Sequence, residues 1–307
     1  MAFLQGPSAK QLELIKQDLG EGDGDLERGV RDLRNMCATS PHLPQPDSIE
    51  TRFLELFVRG CRMDAARART KFDAFCAARA RHRDLYQHRS LSQPPLSDVC
   101  EFMDILPLPK LTDEGVRVTI FRIRPQYPEG SADVAAAVRA VLLVSDARMR
   151  DETPILGDVF VWDVSAARGS LVGRVAAAAG AVRRGIHLAH AAYPQRLLRI
   201  HVVGAPPFIA STLQLMRSCM NEKIKRRLYL NSKVEELLDH IPARVLPAEW
   251  GGQEESIDTI ARKWRVRVDE IRDYLRDLNE ILPAKTKSYD ESDIYGAVGA
   301  FRKLDID

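Results

Sequence analysis

Three runs decide the architecture: VFVWDV at residues 159–164, SLVGRVAAAAGAVRRGIHLAHAA at 170–192 and LLRIHVV at 197–203. The first is a short, continuously apolar strand. The second is an Ala-rich helical run, and the third is another β-branched strand. Reading outward, VRVTIFRI at 116–123 alternates like a strand, and 132–147 is Ala/Val/Leu-rich with few charges, as a largely buried helix would be. Strand, helix, strand, helix, strand predicts βαβ units in a mostly parallel sheet.

Upstream the period changes from two to 3.6. Leu12, Ile15 and Leu19 share one face of a first helix, interrupted at Gly20–Gly24. A second helix over Asp25–Cys37 stops before the proline-rich Pro41–Pro46 segment. Ile49, Phe53, Leu56 and Phe57 recur at helical spacing, and Asp64 is an N-cap candidate for a helix that buries Ala68, Phe72 and Phe75. These features predict a small all-helical unit over 1–91, a proline-bearing linker over 92–110, an α/β domain over 111–252 and a C-terminal helix with a polar tail over 253–307.

Composition narrows the classes of function. The 307 residues carry Lys+Arg 45 against Asp+Glu 43 and are 45% apolar, which is ordinary for a globular protein. Charge is unevenly placed: nine basic against three acidic residues between Arg59 and Arg89, and ten against one between Arg183 and Lys233. That points to a local surface for anions. The five cysteines form no CxxC pair, which fits free thiols in a reducing compartment. No secretory leader, myristoylation signal or prenylation box is read at the ends, so a cytoplasmic protein is expected.

Catalytic signatures are missing. There is no GxGxxG, GxxxxGK[ST] or GxSxG, and no Cys–His pattern. Asp163 at a strand end reads as a turn cap or a ribose or metal contact, and His187 with His190 is a thin metal pair. Gly169 and Gly173 read as close helix packing. Arg79, Arg81 and Arg83 read as a basic patch or as a solvated helix face, and aromatics do not interleave with the basic runs as nucleic-acid stacking requires. No enzyme, metal site, cofactor or nucleic-acid partner is expected.

The segment 192–252 is the most specific. Tyr193-Pro194, Ile200-His201, Pro207, Glu222-Lys223-Ile224-Lys225 and Leu246-Pro247-Ala248-Glu249-Trp250-Gly251-Gly252 together resemble the CRAL-TRIO family, which includes tocopherol transfer and retinaldehyde-binding proteins. Pro41–Pro44, Phe57–Cys61 and Lys71-Phe72-Asp73 resemble that family's helical N-terminal unit, and Gly299–Leu304 resembles a tail common in insect members. The resemblance implies an α/β domain with a helical gate over a lipid cavity, and a monomeric, non-enzymatic carrier that associates reversibly with membranes. The implied gate carries Phe208, Ile209, Thr212, Leu213 and Met216, which could also pack permanently as core. The implied pocket takes Phe160 and Trp162 from the central strand, Leu142, Leu143 and Ser145 from the preceding helix and Leu188 from the next. Trp162 would shorten the pocket, stack on a ligand, or simply pack between sheet and helix.

Arg59, Arg196, Lys223, Lys225 and Arg227 are the implied phosphoinositide contacts, the alternative being a solvated helix face. Arginine suits phosphate by bidentate contact and lysine as a point charge. The ligand classes implied are tocopherol, then retinoid or carotenoid, then sesquiterpenoid. A phosphoinositide-sensing module without cargo is the alternative. Departures from the family pattern are Leu198 in place of a second basic residue, Gly204-Ala205-Pro206 at the strand exit, Arg217–Met220 in place of a KPFL segment, and Gly173 near a usual His. Burial of ~500 Å² of apolar ligand surface at ~25 cal/mol/Å² would supply ~12 kcal/mol before association costs.

Overall fold

The computed structural model describes residues 3–281. The Gly299–Leu304 motif and the polar tail lie outside the described residues. Four helices build the N-terminal unit: α1 (Ala9–Leu19), α2 (Asp25–Thr39), α3 (Thr51–Gly60) and α4 (Ala65–Arg81). Ser8 forms a capping box with Gln11 at the start of α1, and Asp64 caps α4 through the Arg67 amide. Phe53, Phe57, Phe72 and Phe75 meet edge-on or tilted at centroid distances of 5.2–5.6 Å and form the core of this unit. Short helices α5 (Arg83–Tyr86) and α6 (Leu96–Phe102) lead into the sheet.

The sheet is five-stranded in the order β1 (Met103–Leu111), β2 (Val116–Ile123), β3 (Gly157–Asp163), β4 (Leu197–Val203) and β5 (Leu228–Asn231). β1 and β2 are antiparallel and every later pair is parallel. The α/β class with a preceding helical unit is therefore the observed one. β1 corrects the reading of 92–110 as a linker: Pro107 and Pro109 are tolerated because β1 is an edge strand, and its register shifts between Pro107 and Leu111.

The crossovers are α7 (Val134–Asp151), the pair α8 (Ser170–Ala177) and α9 (Ala179–Ala191), and the pair α10 (Ala210–Ser218) and α11 (Glu222–Lys225). Each moves the chain to the next strand in the same direction, so right-handed crossing stacks all of them on one face. Arg117 of β2 and Asp158 of β3 mark that face, since both are drawn into ion pairs with the end of α7. The opposite face carries Val118, Ile120, Val159 and Val161, which cluster with Leu237, Ile241, Val245 and Leu246. Gly169 and Gly173 have open space where a Cβ would stand, so their spacing does not report close helix packing.

The segment at 246–252 has a mechanical role. The Glu249 carboxylate accepts the Ile257 amide at 2.9 and 3.0 Å, capping α12 (Ile257–Glu270), which is followed by α13 (Arg272–Ile281). A Cβ on Gly252 would lie 1.9 Å from the Leu246 carbonyl oxygen, and Gly251 has φ +73°. Trp264 of α12 then donates its indole N–H to the Pro107 carbonyl at 2.8 Å, closing α12 over β1.

Candidate functional site

Along β3, Val159 and Val161 are buried at 4% and 0%, whereas Phe160 and Trp162, which alternate with them, are only half-buried. A central strand covered by helices should bury both faces. Partial exposure on the helix side therefore means that the overlying helices do not close onto it. Register places Ile200 and Val202 of β4 beside Phe160 and Trp162, and Thr119 and Phe121 on the other flank. Phe121 and Phe160 meet edge-on at 5.2 Å.

Above this floor lies α10, which has no fully buried residue. Thr212, Leu213 and Met216 follow Ile209 at helical spacing and are half-buried; Leu213 and Met216 pack against the cluster of Phe160, Trp162, Ile200 and Val202. The Thr212 hydroxyl is buried with no hydrogen-bond partner among the described residues. α10 rests on α8 and α9, and Ile209 is buried at 1% at its root. Phe208 instead stands outward at 44% exposure.

The helix residues sort differently from the expectation. Leu143 is buried in the sheet-side core, but Leu142 and Leu188 belong to the cluster of Phe53, Phe57, Phe75 and Tyr193. Neighbours on a helix diverge by about 100°, so Leu142 cannot share the sheet-facing side with Leu143. Leu142 and Leu188 thus correct the pocket reading: they bind the α/β domain to the helical unit. Ser145 is half-buried and donates its hydroxyl to the Val141 carbonyl at 2.8 Å.

The basic residues also separate. Arg59 and Arg196 line one cleft of about 320 Å³ between α3, the α7–β3 connection and the start of β4. They meet because Gly60 lets α3 end against the Pro194 carbonyl, where a Cβ would stand 1.9 Å from that oxygen. We expect Gly60→Ala to cost about 1–3 kcal/mol by overpacking, read as a lowered urea midpoint; an unchanged midpoint would contradict this close approach. Arg227 bonds the Leu197 carbonyl and faces the like charge of Arg196, which, after its partial burial, lowers its pKa. Lys223 is exposed on α11, and Lys225 is paired with Glu222 at 2.6 Å. A bulge between Asp158 and Val159 leaves Leu198 without a register partner and puts Arg199 opposite Val159, on the face away from α7. Arg199 therefore does not replace the basic residue missing at 198.

Arg79 is the clearest correction. It is 2% exposed, donates to Asp146 at 2.6 Å and lies 3.6 Å above the Phe75 ring. Asp146 also accepts from Arg89 at 2.7 Å and the Tyr193 hydroxyl at 2.7 Å. Lys71, half-buried in the same seam, donates to the His190 and Tyr193 carbonyls at 2.6 and 2.7 Å; desolvation pushes its pKa down to about 8. Sequence reasoning missed these structural cations. The available signal was that Arg79 follows Phe72 and Phe75 at helical spacing, on the buried face of α4. Asp163 accepts from the Ser165 amide and hydroxyl at 3.1 and 2.6 Å, the turn-capping geometry.

Comparison with known proteins gives the same assignment. Residues 102–252 match the CRAL/TRIO domain model. The alpha-tocopherol transfer protein-like protein of Mus musculus is 25% identical over 268 residues, covering 84% of this chain and 74% of its own. Clavesin-2 of Rattus norvegicus is 23% identical over 257 residues, covering 82% and 77%. The crystal structure of Sfh5 superposes with a TM-score of 0.49 at 12% identity, covering 88% of this chain and 99% of that one. Residues 102–252 are a CRAL-TRIO domain.

Proposed function

We propose that this protein is a non-enzymatic carrier that encloses one hydrophobic small molecule between β3–β4 and α10 and exchanges it at membranes. The observation that carries this reading is the incomplete burial of Phe160 and Trp162 on the helix-covered side of a central strand, beneath a helix that fully buries none of its own residues. An apolar molecule there would recover contacts that the protein leaves unmade. The similarity to an alpha-tocopherol transfer protein-like protein favours an isoprenoid, tocopherol first and retinoid or carotenoid next. The unpaired Thr212 hydroxyl favours one that carries an oxygen. No helix among the described residues is long and apolar enough to cross a membrane. Association with the bilayer would then be peripheral, through Arg59, Arg196, Lys223, Lys225 and Arg227.

Mass spectrometry of an organic extract from natively purified protein tests the reading. One stoichiometric hydrophobic molecule is expected. An empty extract, from protein that also refuses isoprenoids and phospholipids but binds phosphoinositide vesicles, would replace the carrier with a sensor.

Docking and cargo should be separable. Replacing Lys223 and Arg227 with alanine removes two charges worth ~1 kcal/mol each near an anionic surface, so vesicle binding should fall about 30-fold. Retention of the bound molecule should not change, because neither residue belongs to the apolar cluster around Phe160 and Trp162. Equal loss of both properties would sink the separation.

A further inference from the structure

The guanidinium groups of Arg59 and Arg196, in the wall of the cleft, are already paired within the chain. Glu21 accepts from Arg59 Nε and Nη2, both at 2.9 Å, as a bidentate carboxylate, and Glu55 takes Nη1 at 3.2 Å. Three residues before Glu21, Asp18 pairs with Arg196, whose same nitrogen also donates to the Leu156 carbonyl at 3.0 Å. Both acids come from one turn of chain at the end of α1, and Leu19 between them lines the cleft. The turn is shaped by Gly20 at φ +68° and is tied down by Arg62, which donates to the Asp18 carbonyl at 2.7 Å. The rest of α1 is anchored separately by buried Ile15 and by Gln11, which donates to the Thr112 carbonyl at 2.7 Å.

We propose that this turn is an intramolecular cover: Asp18 and Glu21 stand on Arg196 and Arg59 where the phosphates of a lipid headgroup would bind, so headgroup binding and the docked turn exclude one another. The inference rests on the membrane-docking reading above and concerns its regulation. A carboxylate and a phosphate monoester present the same pair of acceptor oxygens to a guanidinium, so they compete for the same donors. Ile15 and Gln11 hold the rest of α1, so its last residues can lift without undocking the whole helix, at the cost of the burial of Leu19 and the Arg62 contact. Only the lifted fraction is competent to bind, and the apparent affinity is reduced by that fraction. Arg227, beside Arg196, would remain available throughout to make the first contact with the membrane.

The test compares wild type with Asp18→Asn/Glu21→Gln on vesicles containing phosphatidylinositol bisphosphate, on phosphatidylserine vesicles of matched charge, and with soluble inositol trisphosphate. We expect the double variant to bind the phosphoinositide vesicles at least tenfold more tightly than wild type, with little change on phosphatidylserine. Tightening towards inositol trisphosphate as well would place the competition at the headgroup itself. Soluble headgroup added to wild type should also speed amide hydrogen exchange over residues 16–24. Equal binding by both proteins overturns the cover and leaves docking intact; binding by neither overturns both; equal tightening on phosphatidylserine overturns headgroup competition in favour of net charge. If the double variant does not fold, Asp18→Asn alone, at a carboxylate 41% exposed, makes the same comparison.

Discussion

Replacing Asp146 with alanine should lower the free energy of unfolding by about 3–5 kcal/mol, among the largest single-residue effects in this protein. The carboxylate is fully buried and joins three elements: Arg79 of α4, Arg89 after α5 and the Tyr193 hydroxyl before β4. Burial by itself would raise its pKa; Arg79, then Arg89, outweigh that and hold it below the usual carboxylate range. Without it, two guanidinium groups with side-chain exposures of 1% and 2% are left uncompensated. Urea unfolding measures the effect, and a loss under about 1 kcal/mol would show that water or rearrangement replaces the carboxylate. The Asp146→Ala and Tyr193→Phe changes should be non-additive, because they share one acceptor.

Acidification supplies the second large effect. Glu152 accepts from Arg117 of β2 at 2.9 Å and Arg148 of α7 at 2.6 Å, and Arg148 also holds Asp158 of β3 at 2.6 Å. Burial raises the Glu152 pKa, but Arg117 and Arg148 outweigh it and bring it from 4.5 down to about 2. With the folded-state value depressed, the unfolded chain takes up the proton first as pH falls. The contribution is therefore complete above about pH 4.5 and lost on the way to about pH 2, about 3 kcal/mol in all. About 2 kcal/mol of it should be gone at pH 3. Unfolding free energies at pH 6 and pH 3 should thus fall further in wild type than in Glu152→Gln, which has no proton to take up there. Parallel losses in the two proteins would remove Glu152 as the acid-sensitive group.

The Asp146 network ties the helical unit to α7, and the Glu152 network ties α7 to the sheet beside the cleft of Arg59 and Arg196. Arg148, Glu152 and Asp158 line that cleft directly. Its shape therefore depends on buried ion pairs, whereas the Phe160–Trp162 floor depends on apolar packing. On the function proposed above, mutations in the two regions should accordingly separate binding to anionic vesicles from binding of an apolar molecule.

Much of the fold is local in origin and was legible as such. The period-two run at 116–123 and the apolar run at 197–203 coincide with β2 and β4, because alternation and β-branching are properties of the strand itself. The helix at 170–192 is broken at Ala178 into α8 and α9, a detail its uniform Ala content did not carry. β1 was hidden by prolines that only an edge strand accepts. The motifs at 193–194 and 246–252 identified the family, and their roles as buried anchor and helix cap emerged from Tyr193 on Asp146 and Glu249 on α12.

By itself the sequence determined the alternating α/β order, the helical N-terminal unit, the family and the residue types along β3, α10 and the basic segments. The tertiary structure alone decided which way those residues face and what they meet. Leu142 and Leu143 are neighbours in the chain but serve different cores, Arg79 is buried where a basic run suggested solvent, and Asp18 reaches Arg196 across 178 positions. Periodicity is set by the backbone within a few residues, whereas ion pairs and cavities are set by how distant segments pack.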